Sequence, residues 1–199
     1  MSDVSSRMLE AKQLAECLRN GQVAVIPTDT LPGLACQPAY AEKIWLLKRR
    51  PADKPLILMA ASAAELFDQV QDVCRDDAHA MATRYWPGPL TLVLPALASG
   101  ALNQLNPRGA SIGVRIPNCA ITLALLAASG PLATSSANLS GEPSTLSADD
   151  AARVFPELPL LGPDPWPKPS GLASTVLEWQ SPRQWRVLRA GAVIPAGLN

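Results

Sequence analysis

Short apolar runs of strand length alternate along this chain with segments whose apolar residues recur at helical spacing. A strand buried on both faces reads as a brief unbroken apolar run, whereas a helix shows a stripe at positions three and four apart. Gln22 to Ile26, Pro55 to Ala60, Leu90 to Leu94, Ser111 to Ile116, Pro131 to Thr134, Ala173 to Leu177 and Trp185 to Leu188 read as strands. Met8 to Leu18, Ala39 to Lys48, Ser62 to Val70, Asp77 to Tyr85, Ala120 to Ala128 and Ala148 to Val154 read as helices. The alternation predicts an α/β fold with a substantial sheet and leaves strand order and direction open. A length of 199 residues suits one sizeable core. No repeat or linker divides it, so residues 7–195 are expected to form a single domain.

Proline sharpens this picture, because 20 of them sit largely at polar or glycine-rich joins such as Trp86-Pro87-Gly88-Pro89. The segment Pro163-Asp-Pro-Trp-Pro-Lys-Pro169 is too rich in proline for a regular element and reads as an ordered loop or mobile cover. Charge is balanced, with 17 Lys and Arg against 17 Asp and Glu, so no whole-surface field holds nucleic acid, although a local basic cleft is compatible. The four cysteines form no CxxC pair and His79 is the only histidine, which argues against a zinc site and against a serine-hydrolase triad. Neither GxGxxG nor GxxxxGK[ST] occurs, so dinucleotide and P-loop chemistry are disfavoured and no tightly bound organic cofactor is expected. The first residues lack a secretory pattern and no segment has the length of a membrane span; a cytoplasmic location without membrane contact is the expectation.

Three segments carry the chemistry-bearing residues. In Lys48-Arg-Arg-Pro-Ala-Asp-Lys54, Lys48 continues the apolar stripe of Ala41, Ile44 and Trp45, and Arg50 precedes Pro51, which ends a helix. If the chain extends there, Lys48, Arg50 and Lys54 can converge on a polyphosphate or carboxylate; a solvated charged turn is the alternative. Thr134-Ser-Ser-Ala-Asn-Leu-Ser-Gly141 follows a strand with short donors and acceptors suited to phosphate or ribose, or forms an ordinary Ser/Asn turn. Thr28-Asp29-Thr30 could orient substrate or a hydrated metal, though one carboxylate makes no dedicated cage. Arg115 and Arg189, each at a strand end, could enter the same cleft or form surface salt bridges.

Together Ile26-Pro-Thr-Asp-Thr30, Leu47-Lys-Arg-Arg-Pro-Ala-Asp-Lys-Pro55, Trp86-Pro-Gly-Pro-Leu-Thr91, Gly113-Val-Arg-Ile-Pro117, Ser136-Ala-Asn-Leu-Ser-Gly141, Ser174-Thr-Val176 and Leu188-Arg-Ala-Gly-Ala192 resemble the YrdC/Sua5 family of threonylcarbamoyl-AMP synthases, in its short single-domain type. The resemblance implies a twisted open sheet with flanking helices and a large concave, positively charged cleft. It implies L-threonine, bicarbonate or carbon dioxide, and ATP with Mg2+ as substrates, giving threonylcarbamoyl-AMP and pyrophosphate for the t6A37 modification of tRNA. A separate threonylcarbamoyl-transferase complex would take the product, and tRNA or double-stranded RNA is an implied partner. By the same resemblance Lys48 and Arg50 are the catalytic candidates, contacting triphosphate with Arg115. Thr30, Lys54 and Arg115 fall to the amino-acid substrate, and Ser136, Asn138, Ser140 and Arg189 to the nucleotide. A non-enzymatic RNA-binding module and a paralogue using another amino acid are the competing readings. Many relatives carry an aromatic residue before Gly33 and a Glu at Asp29; this chain has Pro32 and the shorter acid, which puts the amino-acid end of the cleft in question.

Overall fold

The computed structural model describes residues 4–51, 54–98 and 100–198. Among these, the strands are β1 (Met8–Leu9), β2 (Ala24–Ile26), β3 (Gly33–Cys36), β4 (Ile57–Met59), β5 (Leu90–Pro95), β6 (Ser111–Arg115), β7 (Leu132–Ser136), β8 (Leu160–Leu161), β9 (Thr175–Ser181) and β10 (Gln184–Arg189). They form one twisted ten-stranded sheet in the order β1-β8-β2-β3-β7-β4-β6-β5-β9-β10. The helices are α1 (Ala11–Arg19), α2 (Glu42–Leu47), α3 (Ala63–Phe67), α4 (Arg75–Tyr85), α5 (Ala101–Leu105), α6 (Ala120–Ser129) and α7 (Ala148–Val154).

The sheet is mixed. In its centre β2 with β3, β3 with β7 and β7 with β4 are antiparallel pairs, whereas β4 with β6, β5 with β9, and β8 with both β1 and β2 are parallel pairs. Side chains alternate across a pleated strand, and the central strands obey this closely. Ala24, Ile26, Ala35 and Met59 face one core, with Leu14 and Leu18 of α1 and Leu125 and Leu126 of α6. Val25, Leu34, Cys36 and Leu58 face the other, with Ile44, Leu66, Leu92 and Phe155. Burying both faces is why these strands read as unbroken apolar runs. Ser62 starts α3 as its spacing predicts, through a capping box in which Ser62 Oγ accepts from the Glu65 N–H and the Glu65 carboxylate accepts from the Ser62 N–H.

The first helix begins later than its apolar spacing predicts. Met8 and Leu9 leave the helix and pair in parallel with Leu160 and Leu161, and extended Glu10 separates them from α1. Local periodicity counts Met8 as helical because its partner lies about 150 residues away. The strand β3 and the short helix α5 lie outside the segments assigned from sequence. All four cysteines are free thiols; Cys36, Cys74 and Cys119 are buried, and burial pushes the Cys36 thiol up to about 12. Among the described residues, no helix is long and apolar enough to cross a membrane.

Candidate functional site

Along β7, the side chains facing α1 and α6 change from Leu132 to Thr134 to Ser136. Leu132 is covered by α6, whereas Thr134 and Ser136 line a cleft with Ile57 and Met59 of β4 and Ile26 and Gly33 from β2 and β3. The cleft therefore begins where the helical cover of that face ends. It encloses about 190 Å³, and Thr28, Thr30, Leu31, Arg50, Arg115 and Arg189 complete its walls.

Arg115, at the end of β6, is 3% exposed. Its Nε donates to the Gly88 carbonyl at 3.0 Å, one terminal nitrogen donates to Thr30 Oγ1 at 2.9 Å, and the other donates to Asp29 Oδ1 at 2.6 Å. A guanidinium has five N–H groups. Three are thus engaged, and one on each terminal nitrogen remains for a ligand. Burial pulls the guanidinium's proton affinity down, and the Asp29 carboxylate opposes that shift. Asp29 also accepts from the Asn118 N–H at 3.1 Å, so the loop after β6 and the loop after β2 share one anion. Thr28 Oγ1 accepts from the N–H groups of Thr30 and Leu31 and donates to the Leu31 carbonyl, an ST turn that fixes Thr30 beside the arginine.

The basic segment is positioned by the end of α2. The Arg50 N–H donates to the Trp45 carbonyl at 2.8 Å and the Arg49 N–H to the Leu46 carbonyl at 3.1 Å, while Arg49 has φ 50°. This is a Schellman termination with arginine at the left-handed position that normally takes glycine. The reversal gives Lys48 and Arg50 separate destinations. Arg50 lines the cleft, with Nε donating to the Lys54 carbonyl at 3.4 Å and a terminal nitrogen to the Pro55 carbonyl at 3.2 Å. Lys48 turns inward and is 1% exposed. Its Nζ donates to the Ser136 carbonyl, to the Asn138 carbonyl at 2.6 Å and to Asn138 Oδ1 at 3.3 Å. Because left-handed backbone costs a non-glycine residue on the order of 1 kcal/mol, Arg49→Gly is expected to raise stability by up to about that amount, read as a higher denaturant midpoint with unchanged slope.

The opposite wall is built from β9 and β10. Arg189 donates from Nε and a terminal nitrogen to the Ser174 carbonyl at 3.0 and 2.9 Å, and also to Ser174 Oγ at 3.1 Å, which contacts Thr91 Oγ1 at 2.9 Å. Burial lowers the proton affinity of Arg189. The proline-rich segment is tied down at both ends: Trp166 Nε1 donates to the Leu161 carbonyl at 2.7 Å, and the Ser170 and Gly171 N–H groups donate to the carbonyls of Asp29 and Thr30.

Of the residues singled out from sequence, Thr30, Arg50, Arg115, Ser136 and Arg189 line one cleft. Asn138 stands directly behind Ser136, whose hydroxyl donates to its Oδ1 at 2.6 Å, and the Ser140 N–H donates to the Lys48 carbonyl at 2.9 Å. Lys54 is exposed and lies outside the lining, contributing its main-chain carbonyl to Trp45 Nε1 and Arg50. Ser144 and Ser174 also line the cleft without having been assigned a role. Ser144 follows a proline in a segment without periodicity, and Ser174 gains meaning only through Arg189. The resulting wall carries three guanidiniums and no carboxylate among its described residues. Such a surface favours anions.

A family model for Sua5, YciO and YrdC proteins, described as Telomere recombination, matches residues 16–191. The chain belongs to this family. Threonylcarbamoyl-AMP synthase of Bacillus subtilis is 33% identical over 179 residues, which cover 88% of this chain and 51% of that protein. The rat threonylcarbamoyl-AMP synthase is 36% identical over 188 residues, covering 89% of this chain and 65% of the relative. The chain thus spans half to two thirds of the length of these curated family members. The crystal structure of P. abyssi Sua5 complexed with L-threonine matches with a TM-score of 0.83 at 32% identity, over 91% of this chain and 54% of that one. The family fold and the cleft at the ends of β2, β6 and β7 therefore agree with the α/β, YrdC-like architecture read from sequence.

Proposed function

We propose that this chain is an L-threonylcarbamoyladenylate synthase, a nucleotidyltransferase acting on L-threonine, bicarbonate or carbon dioxide, and MgATP. The observation that carries the reading is the convergence of Arg50, Arg115 and Arg189 on one cleft whose described lining contains no carboxylate. Support comes from the naming of the B. subtilis and rat relatives and from L-threonine in the P. abyssi complex. The product would pass to a threonylcarbamoyl-transferase assembly that completes t6A on tRNA.

In this mechanism the threonine amine attacks carbon dioxide, forming a C–N bond and losing one proton to give a carbamate. A carbamate oxygen then attacks the α-phosphorus of ATP, and the bond to the β-phosphate bridging oxygen breaks, releasing pyrophosphate. Arg50 and Arg189 hold phosphate oxygens from opposite walls, which offsets charge on the leaving group. Arg115 directs its remaining N–H groups to the threonine carboxylate beside the Thr30 hydroxyl, and Ser136, backed by Asn138, meets the nucleotide. The lining supplies neither imidazole nor carboxylate, so the side chains act by capture and alignment of an unstable nucleophile. Among the described residues there is no cluster of acidic, Cys or His side chains fit to hold a metal, and Asp29 is committed to Arg115. Magnesium would enter as the counter-ion of ATP.

Leu31 lines the cleft, while Pro32 is buried and its carbonyl accepts from the Ala137 N–H at 2.8 Å. An aliphatic wall therefore stands at the amino-acid end, and a screen of threonine against valine and serine reads its specificity. Pyrophosphate release should require ATP, threonine and bicarbonate together. Release that persists when threonine is omitted would sink the proposal.

A further inference from the structure

We propose that Lys48 is a positioning residue: its ammonium clamps the Ser136–Asn138 segment into the shape that receives the nucleoside and does not itself reach the phosphates. This rests on the ATP-binding reading above and deepens it.

An ammonium has three N–H donors and no acceptor. All three are spent on one loop, on the carbonyls of Ser136 and Asn138 and on Asn138 Oδ1. With the side chain 1% exposed, no donor is left for a phosphate unless the loop is released. The other end of the residue holds the same loop, since the Lys48 carbonyl accepts from the Ser140 N–H at 2.9 Å. Asn138 is wired further: its Oδ1 accepts from Ser136 Oγ at 2.6 Å and its Nδ2 donates to the carbonyls of Leu139 at 2.9 Å and Glu142 at 2.7 Å. Removing the ammonium leaves the Ser136 carbonyl with the Asn138 N–H alone, takes the ammonium from the Asn138 carbonyl, and loosens Asn138 Oδ1, the partner of the Ser136 hydroxyl that lines the cleft. The lysine in the apolar stripe of α2 thus has a structural account: Ala41, Ile44 and Trp45 carry the stem inward and the loop after β7 receives the charge.

Burial lowers the Lys48 ammonium to about 8, with a further lowering from the like charge of Arg50. The loop presents only neutral carbonyl, amide and hydroxyl groups to it, and its acid, Glu142, is exposed and offers its main-chain carbonyl to Asn138. A lysine with a depressed value is charged below about 8 and neutral above it, so the clamp is intact at pH 7 and lost on the alkaline side. For global stability the sign is opposite. Between about 8 and the ordinary lysine value of 10.5 the unfolded chain binds the extra proton, so stability rises with pH while the loop loosens.

The test measures adenosine and ATP affinity of the full chain without threonine, for the native protein and Lys48→Met, by calorimetric titration and competition. Adenosine has no phosphate, so a phosphate contact and a loop clamp give different results. The clamp predicts that Lys48→Met weakens adenosine and ATP by the same factor, on the order of tenfold. A loss confined to ATP, with adenosine unchanged, overturns it and makes Lys48 a phosphate ligand; no loss for either also overturns it. Should Lys48→Met fail to fold, the native protein decides: adenosine affinity is expected to fall roughly tenfold between pH 7 and pH 9, as one proton with a value of about 8 leaves. Adenosine affinity that stays flat over that range contradicts the clamp. A native protein that binds neither ligand fails the ATP-binding reading itself, which separates the two outcomes.

Discussion

Arg115→Met is expected to destroy threonine-dependent turnover and to cost about 3 kcal/mol of stability. Breaking a buried ion pair by removing one partner is among the most damaging single changes, about 3–5 kcal/mol, because the partner charge stays behind. Here the partner is Asp29, 14% exposed at its side chain, so water relieves part of the penalty and the lower end applies. The Gly88 carbonyl and Thr30 Oγ1 lose their donors as well. Two effects are thereby mixed, and a second variant separates them. Arg115→Met with Asp29→Asn removes the stranded charge and should recover a substantial part of the denaturant midpoint. It should recover no turnover, because the two N–H groups aimed into the cleft are still missing. Recovery of both would place Arg115 outside the substrate site.

For Arg50→Ala the expectation is reversed: little change in stability and a large loss of activity. Arg50 sits in the lip of the cleft, where it donates to the carbonyls of Lys54 and Pro55 in exposed surroundings. Its loss should move the unfolding free energy by less than about 1 kcal/mol. A bidentate guanidinium–phosphate contact at the transition state is worth several kcal/mol, so kcat/KM for ATP should fall on the order of a hundredfold or more. Arg50→Lys should recover only part of this, since a lysine offers a point charge without the planar fork. Unchanged kinetics in Arg50→Ala, read from pyrophosphate release, would remove the residue from the site.

The contrast between Lys48 and Arg50 shows what the sequence could and could not reveal. A lysine continuing the stripe of Ala41, Ile44 and Trp45 was legible as an unusual charge, and Pro51 was legible as a helix stop. What separates the two side chains is the left-handed backbone at Arg49, and no residue preference announces an arginine there. Convergence of Thr30, Arg115 and Ser136 was legible only through the family resemblance, because they reach one cleft through strands β2, β6 and β7, whose order local patterns do not encode. The pairing of Met8 with Leu160 is the same kind of information: a two-residue strand exists only because its partner does. Lys54, three residues past Pro51 and close in sequence to the cleft, is exposed, and its carbonyl is held by Trp45 Nε1. By contrast, the apolar runs of β4, β5 and β6 needed no such context, because strands buried on both faces declare themselves in composition.

The central claim is that the arginine-lined cleft joins threonine, carbon dioxide and AMP into one molecule. Incubating the full chain with MgATP, L-threonine and carbon-13 bicarbonate, then reading the adenylate by mass spectrometry, tests it most directly. The account predicts an adenylate that contains threonine and gains the mass of one carbon-13, formed with pyrophosphate. Pyrophosphate accompanied by an adenylate without the labelled carbon, or no adenylate under conditions where an active synthase makes it, would contradict the account.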